Sequence, residues 1–238
     1  MEETKKNILT LKKSGFFNSW SKKETELITF FIHPDLVLPD NWIEKRLDIY
    51  KENAEKLNVI SPKITFYIYP SIDAVKDLGV IPAITFVKAK EIHGHIKQSP
   101  GHELTHILLG EISPSEDLPA NGLWAEGICV YLDGTNTDRK KHTISLNYDD
   151  EIIKTPWDKW RENLPSDFYP LAGSIIQYCV EKYDWDVVKK FLKELRNSGE
   201  NDEKISSEIF SLPYRELQEN WQEWLKKIKQ ADFEMLSC

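Results

Sequence analysis

Residues 99–110 combine polar and aliphatic side chains in an unusual pattern, Ser99-Pro100-Gly101-His102-Glu103-Leu104-Thr105-His106-Ile107-Leu108-Leu109-Gly110. Ser99 is a good N-cap and Pro100 suits the first helical position, so the pattern predicts a helix that begins here. The aliphatic residues supply a wide apolar surface by which this helix would be buried. His102 and His106 are four positions apart, about 40° around a helix axis, so both imidazoles lie on one face.

The spacing of these residues, H-E-x-x-H, indicates a chemical role. Two imidazoles on one helical face can present two nitrogen ligands to a zinc ion. Glu103 lies about 100° around the helix, where its carboxylate can reach a water at that site without becoming a ligand. The alternative interpretation is a pair of hydrogen-bonded core histidines, because buried polar groups need partners. We predict that His102 and His106 bind zinc and that Glu103 is the general base.

A third ligand is expected on a second helix downstream. Residues 123–132 form an apolar helical run with turn residues at both ends, and Glu126 lies inside it. An unpaired carboxylate there would cost several kcal/mol, whereas a metal would satisfy it. Nineteen residues separate His106 from Glu126, enough to finish one helix, cross a loop and enter the next. We therefore predict Glu126 as the third ligand of one Zn²⁺ per chain.

The H-E-x-x-H motif, this interval and Trp124-x-Glu126-Gly127 together resemble the gluzincins, zinc peptidases whose third ligand is a glutamate. The chain is most similar to peptidase-MA-like domains related to the catalytic domain of one-zinc aminopeptidases. The resemblance implies an α+β, zincin-like fold, with an N-terminal twisted sheet over the H-E-x-x-H helix and a mostly helical C-terminal subdomain. It also implies zinc-dependent hydrolysis of peptide bonds in a peptide or protein substrate.

The region before the motif alternates strand-like and helical patterns. Strands are predicted at residues 27–32, 64–69 and 83–89, an amphipathic helix at residues 41–57, and a short helix after the Ser71 cap. We expect residues 1–25 to be an N-terminal segment, residues 26–112 an α/β upper subdomain, and residues 113–238 the helical subdomain that carries Glu126.

Residues 92–97 are a further predicted strand, just ahead of the zinc helix. In folds of this family the strand nearest the site forms the rim of the cleft and adds an extended peptide substrate as an extra strand. Residues 92–97 are the candidate for that rim. His93 and His95 would share one face of the strand, where we expect surface or substrate-facing histidines, with a second metal site as the alternative.

The C-terminal half is predicted to be a short strand at residues 142–148, followed by helices at residues 171–183, 185–196, 203–210 and 213–229. Tyr169-x-x-Ala172-Gly173 resembles an element of the family in which a tyrosine stabilises the tetrahedral oxyanion. The resemblance thus implies Tyr169 for this role, while Tyr148, Tyr178 or simple packing of Tyr169 stay open as alternatives.

At two places the sequence departs from the family pattern, and these departures limit which functional residues the resemblance implies. The G-x-M-E-N motif that binds the free amino group of aminopeptidase substrates is missing upstream of His102, so an endopeptidase is favoured over an exopeptidase. Glu91 is only a weak substitute for the missing glutamate. Val130 stands where thermolysin-like enzymes place an aspartate to orient a zinc histidine, so the partner of the histidines is not predicted.

Composition excludes several other functions. The chain has 31 basic and 39 acidic residues, well interleaved, for a formal charge of −8, which disfavours nucleic-acid binding. No apolar run approaches the ~18 residues of a membrane span, so we expect a cytoplasmic protein. Cys129, Cys179 and Cys238 are odd in number and two lie in apolar runs, which predicts core thiols. The stripe formed by Trp221, Trp224 and Leu225 predicts core packing.

Two competing functions belong to other classes. A regulatory or protein-interaction protein could keep the gluzincin fold and bind zinc without catalysis, although such a site has no need of Glu103 as a base. A purely structural zinc is disfavoured, because structural sites usually have four ligands, typically with cysteine, and the cysteines here lack that spacing.

Overall fold

A computed structural model describes residues 2–80, 83–112, 122–145, 148, 150–160, 168–197 and 202–236. The chain forms two compact units, residues 1–111 and residues 112–238. None of the described helices is both long and apolar enough to cross a membrane.

The first unit is a mixed sheet with helices on both faces. Its helices are α1 (Glu2–Lys13), α2 (Trp42–Leu57), α3 (Ile72–Lys76) and α4 (His102–Ile112), with a 3₁₀ turn at Phe16–Ser19. Its strands are β1 (Ser21–Glu24), β2 (Ile28–Ile32), β3 (Ile64–Tyr69), β4 (Ile84–Phe86) and β5 (Glu91–His95). The predicted strands at β2, β3 and β4 and the predicted helices at α2 and α3 are confirmed, and Ser71 accepts a hydrogen bond from the Ala74 amide as expected of a cap.

The strands are ordered β1-β2-β3-β5-β4. β2, β3 and β5 are parallel, and β1 and β4 add to the two sides in antiparallel fashion. The prediction that residues 92–97 form the rim is therefore wrong, because β5 pairs on both sides. A tight turn, closed by a 3.1 Å bond from the Lys90 amide to the Val87 carbonyl, folds β4 back along β5 and makes β4 the edge strand.

Successive side chains along each strand point to opposite faces of the sheet, so the sheet has an apolar layer on each face. Phe30 and Phe66 lie on the face covered by α2, where both contact Trp42. Tyr67 and Tyr69 lie on the other face, where they join the buried cluster that contains Ile8 of α1 and Trp20. The strand register places Thr85 of β4 opposite Ile92 and thus on the same face as Phe66.

His93 lies on the α1 face and has no exposed surface. Its Nε2 is 2.8 Å from a Glu91 carboxylate oxygen and its Nδ1 is 2.8 Å from the Tyr69 hydroxyl. The other Glu91 oxygen pairs with the Lys12 ammonium of α1. The expectation of a surface or substrate-facing His93 is therefore wrong, because a buried carboxylate at i−2 binds the ring. His95 is half-buried, and among the described residues neither histidine belongs to a potential metal-binding group.

The second unit consists of helices in the part of the chain that is described. These are α5 (Gly122–Tyr131), α6 (Arg139–Ser145), α7 (Asp150–Ile153), α8 (Tyr169–Tyr183), α9 (Trp185–Asn197), α10 (Asp202–Phe210) and α11 (Tyr214–Leu236), with a 3₁₀ turn at Trp157–Trp160. The four predicted C-terminal helices are confirmed as α8 to α11. Trp221 and Leu225 are buried and Trp224 is half-buried, which confirms the packing role of that stripe.

The predicted strand at residues 142–148 is wrong, because residues 139–145 form α6. Arg139 forms a 2.5 Å ion pair with Asp133, and its backbone amide donates to the Gln177 side chain of α8. The Thr143 hydroxyl donates to the Pro170 carbonyl at the other end of the segment. These tertiary contacts outweigh the β propensity of the sequence Thr-Ile.

Cys129 and Cys179 are buried, unbridged thiols, as predicted. Burial raises the pKa of the Cys179 thiol far above its ordinary value. Cys238 lies outside the described residues.

Candidate functional site

The helix with the H-E-x-x-H motif begins at His102, two residues later than predicted. The Gly101 carbonyl accepts the Thr105 amide at 2.9 Å, so Gly101 takes the N-cap position in place of Ser99. His102 and His106 then lie one turn apart, with ring centroids 5.0 Å from each other and ring planes at 77°. Both side chains are half-buried. The structure thus brings the two predicted histidine ligands together on one helical face.

Glu103 is only 7% exposed, although it lies in the first turn of α4. One of its carboxylate oxygens, Oε2, is 2.5 Å from the Thr85 hydroxyl of the edge strand β4. Thr85 is a residue that the sequence analysis missed. The available signal was the alternation of Ile84, Thr85 and Phe86, which places the polar residue on the opposite face from its two apolar neighbours.

Helix α2 supports α4 through a buried hydrogen-bond chain. The Asn53 side-chain amide donates to the Thr105 hydroxyl at 3.0 Å, and that hydroxyl donates to the Gly101 carbonyl at 2.8 Å. Thr105 has no exposed surface and Asn53 is almost fully buried. One polar residue of the H-E-x-x-H motif, Thr105, therefore anchors the helix to α2.

The segment that leads into α4 is held by the start of α2. The Trp42 indole donates to the Ile96 carbonyl at 3.1 Å, and the Arg46 guanidinium donates to the Gln98 carbonyl at 2.8 Å. The guanidinium also stacks on the Trp42 ring. Burial lowers the pKa of Arg46 to about 9, which leaves the side chain cationic at neutral pH.

Glu126 lies in the middle of α5 in the second unit. Its side chain is half-buried, and its neighbours Trp124, Gly127 and Ile128 are buried. The Trp124 indole donates to the Tyr214 hydroxyl at 2.9 Å, which ties α5 to α11. The structure places the predicted third ligand on a helix, as the sequence indicated.

Two glycines allow α5 and α8 to pack very closely. A Cβ atom on Gly127 would lie 2.8 Å from the Ala172 carbonyl oxygen, and one on Gly173 would lie 2.6 Å from a Val130 methyl group. Both contacts are tighter than ordinary Cβ contacts, so the glycines of Trp-x-Glu-Gly and of Ala-Gly form one helix interface. The Val130 side chain fills the space next to Gly173.

The three candidate tyrosines differ in their surroundings. Tyr169 is the first residue of α8 and is half-buried, as is Tyr148. Tyr178 is buried, with its ring against Tyr183 and Trp224, and burial raises the pKa of its hydroxyl well above the ordinary value. Tyr178 is therefore a core residue. The role assigned to Tyr169 stays a prediction.

Three half-buried side chains, His102, His106 and Glu126, each offer one ligand atom of a kind that binds divalent metal ions. Two imidazole nitrogens and one carboxylate oxygen form a donor set suited to Zn²⁺. Glu91, the weak substitute for the missing amino-group ligand, is unsuited to that role, since its carboxylate is bound by Lys12 and His93.

The sequence matches no protein-family model and no curated protein. Among solved structures, a mutant two-domain M1 zinc metallopeptidase bound to L-arginine is similar, with 11% sequence identity and a TM-score of 0.48, over 86% of this chain and 51% of that chain. An M1 zinc metallopeptidase from Deinococcus radiodurans is similar at 10% identity and a TM-score of 0.47, over 85% of this chain and 50% of that one. The chain thus spans about half the length of both structures.

Proposed function

We propose that this chain is a zinc-dependent metallopeptidase. The observation that supports the proposal best is local to α4, where two imidazoles lie one turn apart and a buried glutamate follows the first of them. A helix that served only to pack would not need all three side chains near its first turn. The zincin-like form of the α+β fold is part of this proposal.

His102, His106 and Glu126 are the proposed ligands of one Zn²⁺. The donor types support this assignment, because zinc at catalytic sites takes three protein ligands from nitrogen and oxygen donors and keeps one position open. When bound, the ion would lower the pKa of water and polarise the carbonyl of the scissile peptide bond.

Glu103 is the proposed general base. Its carboxylate takes a proton from the attacking water and delivers this proton to the leaving amine. The Thr85 hydroxyl donates to Oε2, and Oε1 is the proposed acceptor of the proton.

Tyr169 is the proposed donor to the oxyanion that develops as the carbonyl is attacked. A phenol fits the role because it donates one hydrogen bond without a charge of its own. Its place at the first residue of α8 keeps the side chain half-buried, which is compatible with access to a substrate.

An extended peptide is the proposed substrate, cleaved internally. The absence of G-x-M-E-N and the ion pair between Glu91 and Lys12 both disfavour recognition of a free amino terminus. Internal cleavage needs no such recognition.

The test is digestion of a peptide library, followed by mass spectrometry, with zinc-loaded parent protein and with Glu103→Gln. The glutamine keeps the shape of the side chain but accepts no proton, so zinc should stay bound while turnover falls by at least about 10². A parent protein that binds zinc and cleaves no peptide would overturn the peptidase proposal in favour of a zinc-binding interaction protein. Undiminished cleavage by Glu103→Gln would remove Glu103 from the mechanism.

A further inference from the structure

The contact between Thr85 and Glu103 links the edge of the sheet to the proposed general base. Thr85 is the middle residue of the three-residue strand β4, and Glu103 lies in the first turn of α4. The Thr85 hydroxyl oxygen is 2.5 Å from Glu103 Oε2 and 3.3 Å from the Glu103 backbone oxygen. The short contact to the carboxylate is a charge-assisted hydrogen bond in which the hydroxyl donates.

The strand itself is held in place independently of this contact. Thr85 pairs with Ile92 of β5, and its neighbours Ile84 and Phe86 pack on the opposite face of the sheet, in the cluster beneath α1. The hydroxyl is therefore presented to α4 from a fixed backbone. A β-branched side chain has restricted χ1 rotation, which narrows the directions in which the hydroxyl can donate.

A glutamate in a helix has three rotatable side-chain bonds, and fixing them costs conformational entropy. A general base must hold its carboxylate in one orientation toward the reacting water. The reaction is faster when the side chain already has this orientation before the substrate binds. We infer that Thr85 is a positioning residue, whose hydroxyl fixes the Glu103 carboxylate through Oε2 and turns Oε1 toward the reacting water. This inference rests on the proposed peptidase function.

The two carboxylate oxygens have different roles in this inference. An ionised carboxylate accepts hydrogen bonds at both oxygens and donates none. Oε2 is held by Thr85, and in the inferred arrangement Oε1 takes the proton from the water and returns it to the leaving amine. Thr85 itself gains and loses no proton in the reaction.

The test compares Thr85→Val, Thr85→Ser and Thr65→Val in zinc-loaded protein. Valine keeps the branched shape and removes the hydroxyl, whereas serine keeps the hydroxyl. Thr65 lies on β3, on the face opposite Phe66, and so serves as a matched threonine that does not face α4. We expect Thr85→Val to lower kcat about tenfold with KM nearly unchanged, Thr85→Ser to recover kcat to within about threefold of the parent, and Thr65→Val to leave it unchanged. Zinc content and Tm are measured for all variants.

A second measurement does not depend on activity. Crystal structures of the metal-free parent and of metal-free Thr85→Val should show the Glu103 carboxylate in one position in the parent and in another, or in several, in the variant. An unchanged Glu103 carboxylate in Thr85→Val, unchanged kcat in Thr85→Val, or a loss in Thr85→Ser as large as in Thr85→Val would overturn the inference. A parent protein without peptidase activity would instead refute the proposed function, and the metal-free structures would still decide whether Thr85 orients Glu103.

Discussion

The Asn53 side-chain amide lies 3.0 Å from the Thr105 hydroxyl, and this buried bond fastens α4 to α2 between the two histidines of the motif. Thr105 in turn donates to the Gly101 carbonyl, so the bond from Asn53 also fixes the first turn of α4. The position of the histidines is thus set by α2, which carries no residue of the proposed site.

Replacement of Asn53 by alanine should destabilise the first unit. The change removes a buried donor and leaves a small cavity, at a cost of about 1–3 kcal/mol in the free energy of unfolding. Urea denaturation followed by circular dichroism measures this cost. Glu52→Ala, an exposed change on the same helix, should cost less than about 0.5 kcal/mol. Equal costs for the two variants would contradict a structural role for the bond.

Alanine substitutions at the two glycines between α5 and α8 should differ in whether a second substitution rescues them. Gly127→Ala and Gly173→Ala should each cost about 1–3 kcal/mol, because the new methyl group meets a packed neighbour. At Gly173 the neighbour is the Val130 side chain, so Val130→Ala should restore part of the loss. At Gly127 the neighbour is the Ala172 backbone carbonyl, which a side-chain change cannot remove. Thermal unfolding of the single and double variants measures the coupling, and rescue of Gly127→Ala by Val130→Ala would contradict this packing.

The buried His93 should make stability depend on pH. Burial lowers the pKa of the imidazole below its ordinary 6.5, so the neutral ring is favoured in the folded state. In that state Nε2–H donates to the Glu91 carboxylate, since the carboxylate only accepts, and Nδ1 accepts from Tyr69. The stability gained from this shift is present above pH 6.5 and is lost as the pH falls through the pKa of the folded state, by at most about 1.4 kcal/mol per pH unit.

Thermal unfolding between pH 7.5 and pH 5.5 measures this dependence, and His93→Gln should flatten it because the amide does not titrate. The Glu91 carboxyl adds a loss at lower pH. Burial raises the pKa of this carboxyl, but its hydrogen bonds to His93 and Lys12 outweigh burial and hold the pKa below the ordinary 4.5. A parent protein whose Tm is constant from pH 7.5 to pH 5.5 would show that the ring is not held neutral.

The proposed zinc site predicts a stoichiometry of about one zinc per chain in protein purified without chelators. His106→Ala and Glu126→Ala should each lose most of this metal, because each removes one of three ligands. His33→Ala, at the end of β2 beside Asp35, should retain it. Inductively coupled plasma mass spectrometry after gel filtration gives the occupancy. Full occupancy in Glu126→Ala would refute Glu126 as the third ligand.

Tyr169→Phe should lower kcat and kcat/KM equally, by about 10²–10³, with KM nearly unchanged. The reason is that a donor to the developing oxyanion interacts little with the ground-state carbonyl. Steady-state kinetics on one library-derived peptide measures both constants. Tyr148→Phe is measured alongside it. If kcat falls in Tyr148→Phe and Tyr169→Phe is fully active, the oxyanion donor is Tyr148 and not Tyr169.

The periodicity of apolar residues predicts most of the helices and strands of the first unit. The run of β-branched and aromatic residues at 64–69 and the helical repeat at residues 41–57 predict β3 and α2 to within one residue. β3 is buried on both faces, and α2 buries one apolar face. The same reasoning located α4 and α5, although the start of α4 was misplaced by two residues since Ser99 and Gly101 are both acceptable caps.

Pairing between distant residues was harder to predict. The position of β5 inside the sheet depends on the turn at residues 87–90, whose direction is not encoded in the alternation of the strand. The burial of His93 depends on Lys12, which is 81 positions away in sequence, and on Tyr69. Thr85 was missed for the same reason, because only the register of β4 on β5 shows that it faces α4.

The two edges of the sheet differ in chemical character, and this difference controls where another strand can add. β1, at one edge, has only exposed residues and includes Lys22, Lys23 and Glu24, charges that oppose association of one sheet with another. β4, at the other edge, is the uncharged sequence Ile-Thr-Phe and is three residues long, too short to invite an extensive foreign sheet. The charges of β1 and the short length of β4 therefore protect the two edges of the sheet against edge-to-edge aggregation. A short extended peptide that paired with β4, beside Thr85, would meet less electrostatic repulsion than one that paired with β1.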